Sequence, residues 1–146
     1  MPKYGYVSGP RTQISKLVGN TGAISDGDCL VRDAGYNQGV MRATDGDIPS
    51  FVASQSASAP TTDGDTSILV DINQASEYRL PVVTGTLAVT MEGEMCDIGV
   101  AGTVIGLDVN ATTDDCVRIN KVEVAGAVGV GYALCTIYFH KNADTI

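Results

Sequence analysis

The sequence predicts an all-β protein, a compact β-barrel or sandwich with an N-terminal arm and a β-meander, and three observations predict it. Short apolar runs alternate with Gly, Asp, Asn and Pro clusters along most of the chain, the punctuation of strands and turns. No stretch sustains a 3.6-residue apolar period, and only 71–78 could make a helical turn or two. The 146 residues include 17 glycines, 2 phenylalanines and no tryptophan, with 18% charged side chains, which describes one turn-rich domain built from small side chains.

Residues 1–22 carry Lys3, Arg11 and Lys16, with no acid before Asp26. This basic segment, with Tyr4, Tyr6 and Val7 as anchors and a break at Gly9-Pro10, reads as an arm laid on a partner, or as an ordinary first strand with solvent-facing lysines. A single β domain then spans 23–146. Its meander, 24–54, runs through Cys29-Leu30-Val31, a glycine-rich turn at 35–39, Val40-Met41-Arg42, the turn Asp45-Gly46-Asp47 and Phe51-Val52-Ala53. Residues 55–65 are small, polar and non-periodic, an exposed loop separating the first part of the chain from the second.

The barrel or sandwich follows over 66–146, with strands expected at 66–72, 77–83, 86–91, 95–100, 103–109, 117–124 and 130–139. Alternation places Leu87, Val89 and Met91 on one buried face. Pro81 has no N–H for a ladder and marks its strand as an edge or an end. In 117–124 the apolar residues change phase at Asn120-Lys121, which predicts a β-bulge there. Residues 132–139 are apolar on both faces, as in a central strand.

Charge and composition exclude several functions. A net charge of −8 argues against binding a phosphate backbone, so no nucleic-acid partner is expected. No run approaches the length of a membrane span, and the opening MPKYGYVSGP has no apolar h-region. Cys29, Cys96, Cys116 and Cys135 are too widely spaced for a Cys-x-x-Cys zinc site; two disulfides remain arithmetically open, but free buried thiols fit their apolar runs better. Neither a metal nor another cofactor is expected.

The chemistry-bearing candidates also have plainer readings. The triplets at Asp26, Asp45 and Asp63 suggest calcium, yet none continues into a calcium-binding loop, and Asp-Gly is a common turn dipeptide. His140 has no nucleophile motif near it. Glu92 and Glu94 flank Gly93 as solvated turn acids, and the glycine-rich tract 126–131 lacks the lysine and helix of a phosphate cradle. No catalytic residue is assigned, and the chain reads as a non-enzyme.

The segments Gly27-Asp28-Cys29-Leu30-Val31, Val40-Met41-Arg42-Ala43-Thr44-Asp45-Gly46-Asp47 and Phe51-Val52-Ala53 together resemble the small head proteins that decorate or cement tailed-phage capsids. A looser likeness continues through 93–98 and the closing strands, where such proteins place a second small barrel. The resemblance implies a virion structural protein on the outside of the mature head of a bacteriophage. It would work as a homotrimer, with the major capsid protein as its partner, and hold neighbouring capsid subunits together. The expected capsid-binding residues are Lys3, Tyr4, Tyr6, Arg11 and Lys16; the expected oligomer interface is Val130, Tyr132, Leu134 and Tyr138. The alternative is a carbohydrate- or cell-surface-binding β module of a fibre or adhesin, whose signature is exposed aromatics on a sheet face.

Overall fold

The computed structural model describes residues 3–19, 22–33 and 39–139. They form thirteen strands and, among the described residues, no α-helix: β1 Gly5–Ser8, β2 Gln13–Val18, β3 Cys29–Arg32, β4 Gly39–Arg42, β5 Phe51–Ala53, β6 Ser67–Asp71, β7 Glu77–Thr84, β8 Thr86–Leu87, β9 Met95–Ala101, β10 Val104–Asp108, β11 Val117–Val124, β12 Gly126–Ala127 and β13 Tyr132–Ile137. The protein is all-β. The turn expected at 35–39 lies largely outside the described residues, as does His140.

Two closed barrels divide these strands. The first runs β2-β4-β3-β5-β6 and back to β2. The second closes as β7-β10-β9-β11-β13 and back to β7, with β8 and β12 forming a short ribbon beside it. Closure leaves few unpaired edges in either half, and it tolerates one parallel pair in each, β2 with β4 and β7 with β10.

The apolar triplets of the meander are explained by the core. Strand side chains alternate faces, and here both faces of β3 and β5 are buried. Leu30, Phe51 and Ala53 point into the first barrel with Val18, Ile24, Val40, Ile68 and Val70. Cys29 and Val52 belong instead to the larger core of the second barrel, beside Tyr78, Leu80, Ile98, Leu107 and Ile119. Each fully buried Val, Leu, Ile or Phe side chain contributes about 1.5–3 kcal/mol, so the shared wall also ties the barrels together.

The three triplets are one turn used three times. Each is preceded by Ser25, Thr44 or Thr62 and places glycine at positive φ, +95° at Gly27, +83° at Gly46 and +85° at Gly64. The second Asp amide donates back to that residue's carbonyl at 3.0–3.1 Å. Its carboxylate accepts from the same residue's amide, at 2.9 Å for Asp28, 2.8 Å for Asp47 and 3.1 Å for Asp65. The positive glycine at the third position makes these type II turns.

Several boundaries differ from the expected ones. Residues 13–18, expected within an arm, are a stave of the first barrel, and β1 pairs with β7 of the second, so the division at residue 22 does not follow the fold. The loop 55–65 does not separate two halves either, because β6 after it closes the first barrel against β5 and β2. That loop is tied down: Ile24 bridges Ala57, the Asp26 amide bonds Ser56 Oγ at 3.0 Å, and Gln55 Oε1 accepts from the Leu69 amide at 2.7 Å. The chain crosses between barrels at 9–12 and 72–76.

Two further expectations fail for local reasons. Residues 86–91 are strand only at Thr86–Leu87 and then form a 3-10 turn, Val89–Met91, which leaves Val89 62% exposed while Leu87 is buried. Pro81 lies in the most heavily paired strand, not at an edge. The Val82 amide donates toward β13, to Gly131 O at 3.0 Å, so the Pro81 nitrogen faces the other side. There β1 ends its pairing at Arg79 and β10 begins at Val82, and no donor is required. The bulge at Asn120 is present, since Ile119 pairs Cys135 and Lys121 pairs the adjacent Leu134, which brings Val117, Ile119 and Val122 all inward. β13 is buried on one face, through Ala133, Cys135 and Ile137, while Tyr132, Leu134 and Thr136 are half-buried on the other.

Candidate functional site

A concavity lies on the second barrel where β1 and the first Asp-Gly-Asp turn meet it. Pro81, Val82 and Val83 of β7 line it together with Ala101 and Val104 of the β9–β10 hairpin, Val128 and Gly129 of the β12–β13 loop, and Tyr4. Gly106 lets β10 approach β7 here, because a Cβ on it would meet the Pro81 carbonyl oxygen. The cavity is about 190 Å³ and mainly apolar, and Val104 and Val128 are 44% and 52% exposed.

A second cavity of about 230 Å³ adjoins it, sharing Tyr4, Pro81 and Val104 and adding Ser25, Asp26, Gly27, Asp28, Thr103 and Ile105. Its wall depends on two glycines packed backbone to backbone. Gly5, at φ +103°, would place a Cβ 2.7 Å from Gly27 Cα, and Gly27 would place one 2.8 Å from Tyr4 O. Asp26 pairs with Lys3 at 3.6 Å. The Arg42 guanidinium bonds Asp28 Oδ2 at 3.2 Å and Thr103 O, across the barrel boundary, at 2.6 Å. Burial raises the pKa of Asp28 despite the Ser25 amide and Arg42 beside it.

The expected capsid-binding residues do not form one patch. Lys3 and Tyr4 reach this cleft, where Tyr4 meets Tyr132 edge-on with centroids 6.2 Å apart. Tyr6 donates to Gly9 O at 2.5 Å and carries the Arg11 guanidinium 4.0 Å above its ring. Arg11 also bonds Ser54 Oγ at 2.8 Å. Lys16 sits apart on β2, half-buried, its ammonium 5.6 Å from the Phe51 ring centre.

Of the expected oligomer interface, Val130 and Tyr138 are exposed, at 59% and 39%. Tyr132 and Leu134 are half-buried on a β13 face bordered by polar pairs. Arg79 grips Glu123 through Nε and Nη2 at 2.6 and 3.0 Å, and Asn120 Nδ2 bonds Thr136 Oγ1 at 2.8 Å and Glu77 at 3.1 Å.

Other candidate groups serve the fold. Glu92 accepts from the Val122 amide at 2.8 Å beside the bulge in β11. The tract 126–131 pairs Gly126 and Ala127 with β8, and its turn is closed by the Val130 and Gly131 amides on Ala127 O. All four cysteines are free and buried, and burial pushes the thiols up, Cys116 to about 11 and Cys96 to about 12. Among the described residues no group of three or more His, Cys, Asp or Glu side chains could hold a metal ion.

The cleft itself was missed in the sequence. Its rims are valines beside turn glycines, Gly102 with Val104 and Val128 with Gly129, and such pairs read equally well as the ends of ordinary strands. Comparisons with protein-family models, with curated proteins and with solved structures found no match to this chain.

Proposed function

We propose that this chain is a structural binding protein of the tailed-phage capsid-decoration type, attached as a homotrimer to the outside of the mature head and holding neighbouring major capsid subunits together. The observation that carries the reading is the pair of small barrels joined through the segment on which the resemblance rests. The β3–β4–β5 meander supplies Cys29 and Val52 to the second barrel's core. Its second turn docks on β9, with the Gly46 amide on Ile98 O at 3.1 Å and Asp45 Oδ1 accepting from the Val100 amide at 3.3 Å.

Such a protein works by repetition. Modest contacts made at many symmetric positions sum to a strong attachment, and each copy's ordering cost is shared within its oligomer. The fibre or adhesin reading needs exposed aromatics on a sheet face, and Tyr4 and Tyr132 are half-buried and packed edge-to-face against each other.

Co-sedimentation with expanded tailed-phage heads lacking their decoration protein tests the reading, alongside light scattering of the free chain. Saturable binding by a trimer is the expected result. A monomer that stays in the supernatant at every head concentration would overturn it.

A further inference from the structure

We propose that the two-part cleft beside Tyr4 docks an extended segment of a partner protein that presents an apolar side chain within one or two positions of a lysine or arginine. This stands apart from the capsid reading and needs no capsid to hold.

Size comes first. Cavities of about 190 and 230 Å³ that share Tyr4, Pro81 and Val104 have room for a side chain each and are small for a nucleotide or similar cofactor. Their junction suits an extended chain, whose neighbouring side chains reach separate subsites. Chemistry assigns the two ends. The first half offers Val82, Val83, Val104 and Val128 to an apolar group, while the second offers the Asp26 carboxylate with the turn around it.

Asp26 is already matched to a cation, Lys3, at 3.6 Å. The Lys3 side chain is 80% exposed, so water screens the pair and a partner's cation can replace it at little cost. Lys3 therefore marks the position where an incoming lysine or arginine ends. The chain's net charge of −8 disfavours a second copy as the occupant and attracts a basic partner over distance.

The test is a titration of the methyl-labelled full chain with acetyl-Gly-Leu-Ser-Lys-Gly-amide and with the same peptide carrying Glu for Lys, followed by NMR. Saturable shifts at Val82, Val83, Val104 and Val128 are expected, with the Glu peptide about tenfold weaker. Val128→Asp should abolish the shifts, and Asp26→Asn should keep them while removing the preference between the peptides. Absence of saturable shifts, equal response to both peptides, or shifts centred elsewhere would overturn the proposal. So would valine shifts that appear on concentrating the protein alone and vanish in Val128→Asp, because a second copy would then fill the cleft.

Discussion

Asp71 Oδ2 accepts a hydrogen bond from the Tyr78 hydroxyl at 2.7 Å, with both residues fully buried. Asp71 ends the last strand of the first barrel and Tyr78 opens the second, so this bond clasps the chain where it crosses between them. The other carboxylate oxygen accepts from the Thr12 and Asn73 amides at 3.1 Å each, and the Ile72 amide donates back to Thr12 O at 3.0 Å. Both crossings, outward and return, meet at one buried carboxylate. Burial, and then the bond to Asp71, raises the Tyr78 pKa, which keeps the hydroxyl a donor.

Removing the Asp71 carboxylate strands the buried Tyr78 hydroxyl, whereas removing the hydroxyl leaves the carboxylate its amide donors. Asp71→Ala leaves the buried Tyr78 hydroxyl without its acceptor and should cost about 2–3 kcal/mol, since a buried unsatisfied group costs ~1–3 kcal/mol, while the part-buried Thr12 and Asn73 amides can turn to water. Tyr78→Phe should cost about 1–3 kcal/mol, because the carboxylate keeps its amide donors. Urea unfolding of both single variants and the double variant checks this. A coupling energy near zero would mean that the clasp contributes nothing.

Gly27 is the second point of closure. Any side chain there meets Tyr4 O and Gly5 Cα in a backbone conformation at φ +95°. Gly27→Ala should destabilise by about 1–3 kcal/mol from backbone strain alone, with further loss as β1 is pushed off. Gly46→Ala is the control, since it has a similar φ of +83° but no atom within 4 Å of the added carbon. A melting temperature for Gly27→Ala no lower than the control's would contradict the packing.

Most strands were legible because their signals are local. Cys29–Arg32 and Phe51–Ala53 were bounded by turn triplets, and the phase change at Asn120 required a bulge in any sheet. Closure was not legible. That β6 returns to β2, or that Ser67–Asp71 belongs with the chain before the polar loop, depends on pairing partners far away in sequence. The loop's composition pointed to a boundary that its hydrogen bonds contradict. The expected binding residues were chosen as one basic stretch, yet the crossing sends Lys3 to one barrel and Lys16 to the other.

The thiols give a chemical readout of the shared core. Cys29, Cys96, Cys116 and Cys135 are buried and their pKa values are raised, so almost no thiolate exists near pH 8. A thiol reagent at that pH should modify no cysteine in the folded protein and all four in guanidinium. Rapid labelling of Cys29 without denaturant would show that the barrels separate.

Acid stability should carry the mark of Arg79 and Glu123. The bidentate guanidinium holds the Glu123 carboxyl below its ordinary value of 4.5, so its stabilisation is present above that value and is lost as the pH falls through the lowered one. Asp28 acts in the opposite sense: its pKa is raised by burial, so its contribution is present at low pH and lost as the pH rises through that value. Glu123→Gln should therefore cost about 0.5–1 kcal/mol at neutral pH and flatten the loss of stability on acidification. Parallel curves for variant and parent across that range would dismiss the pair as a stabilising contact.

The placement of β1 decides how head binding has to be tested. Deleting residues 1–12 would remove the β1 pairing with β7, the Gly5 contact with Gly27 and the Thr12 groups at the clasp. The deletion should lower the melting temperature by several degrees, about what a loss of 1–2 kcal/mol produces in a domain of this size. Weak binding by the truncated chain would then report folding as much as contact. Lys3→Glu changes an exposed charge while leaving β1 in place, whereas Arg11 stacks on Tyr6, bonds Ser54 and lies 4.0 Å from the buried Asp71 carboxylate, so Arg11→Glu also disturbs the clasp. If the basic residues contact the head, Lys3→Glu should weaken co-sedimentation with an unchanged melting temperature. Full binding by both variants would remove Lys3 and Arg11 from the attachment.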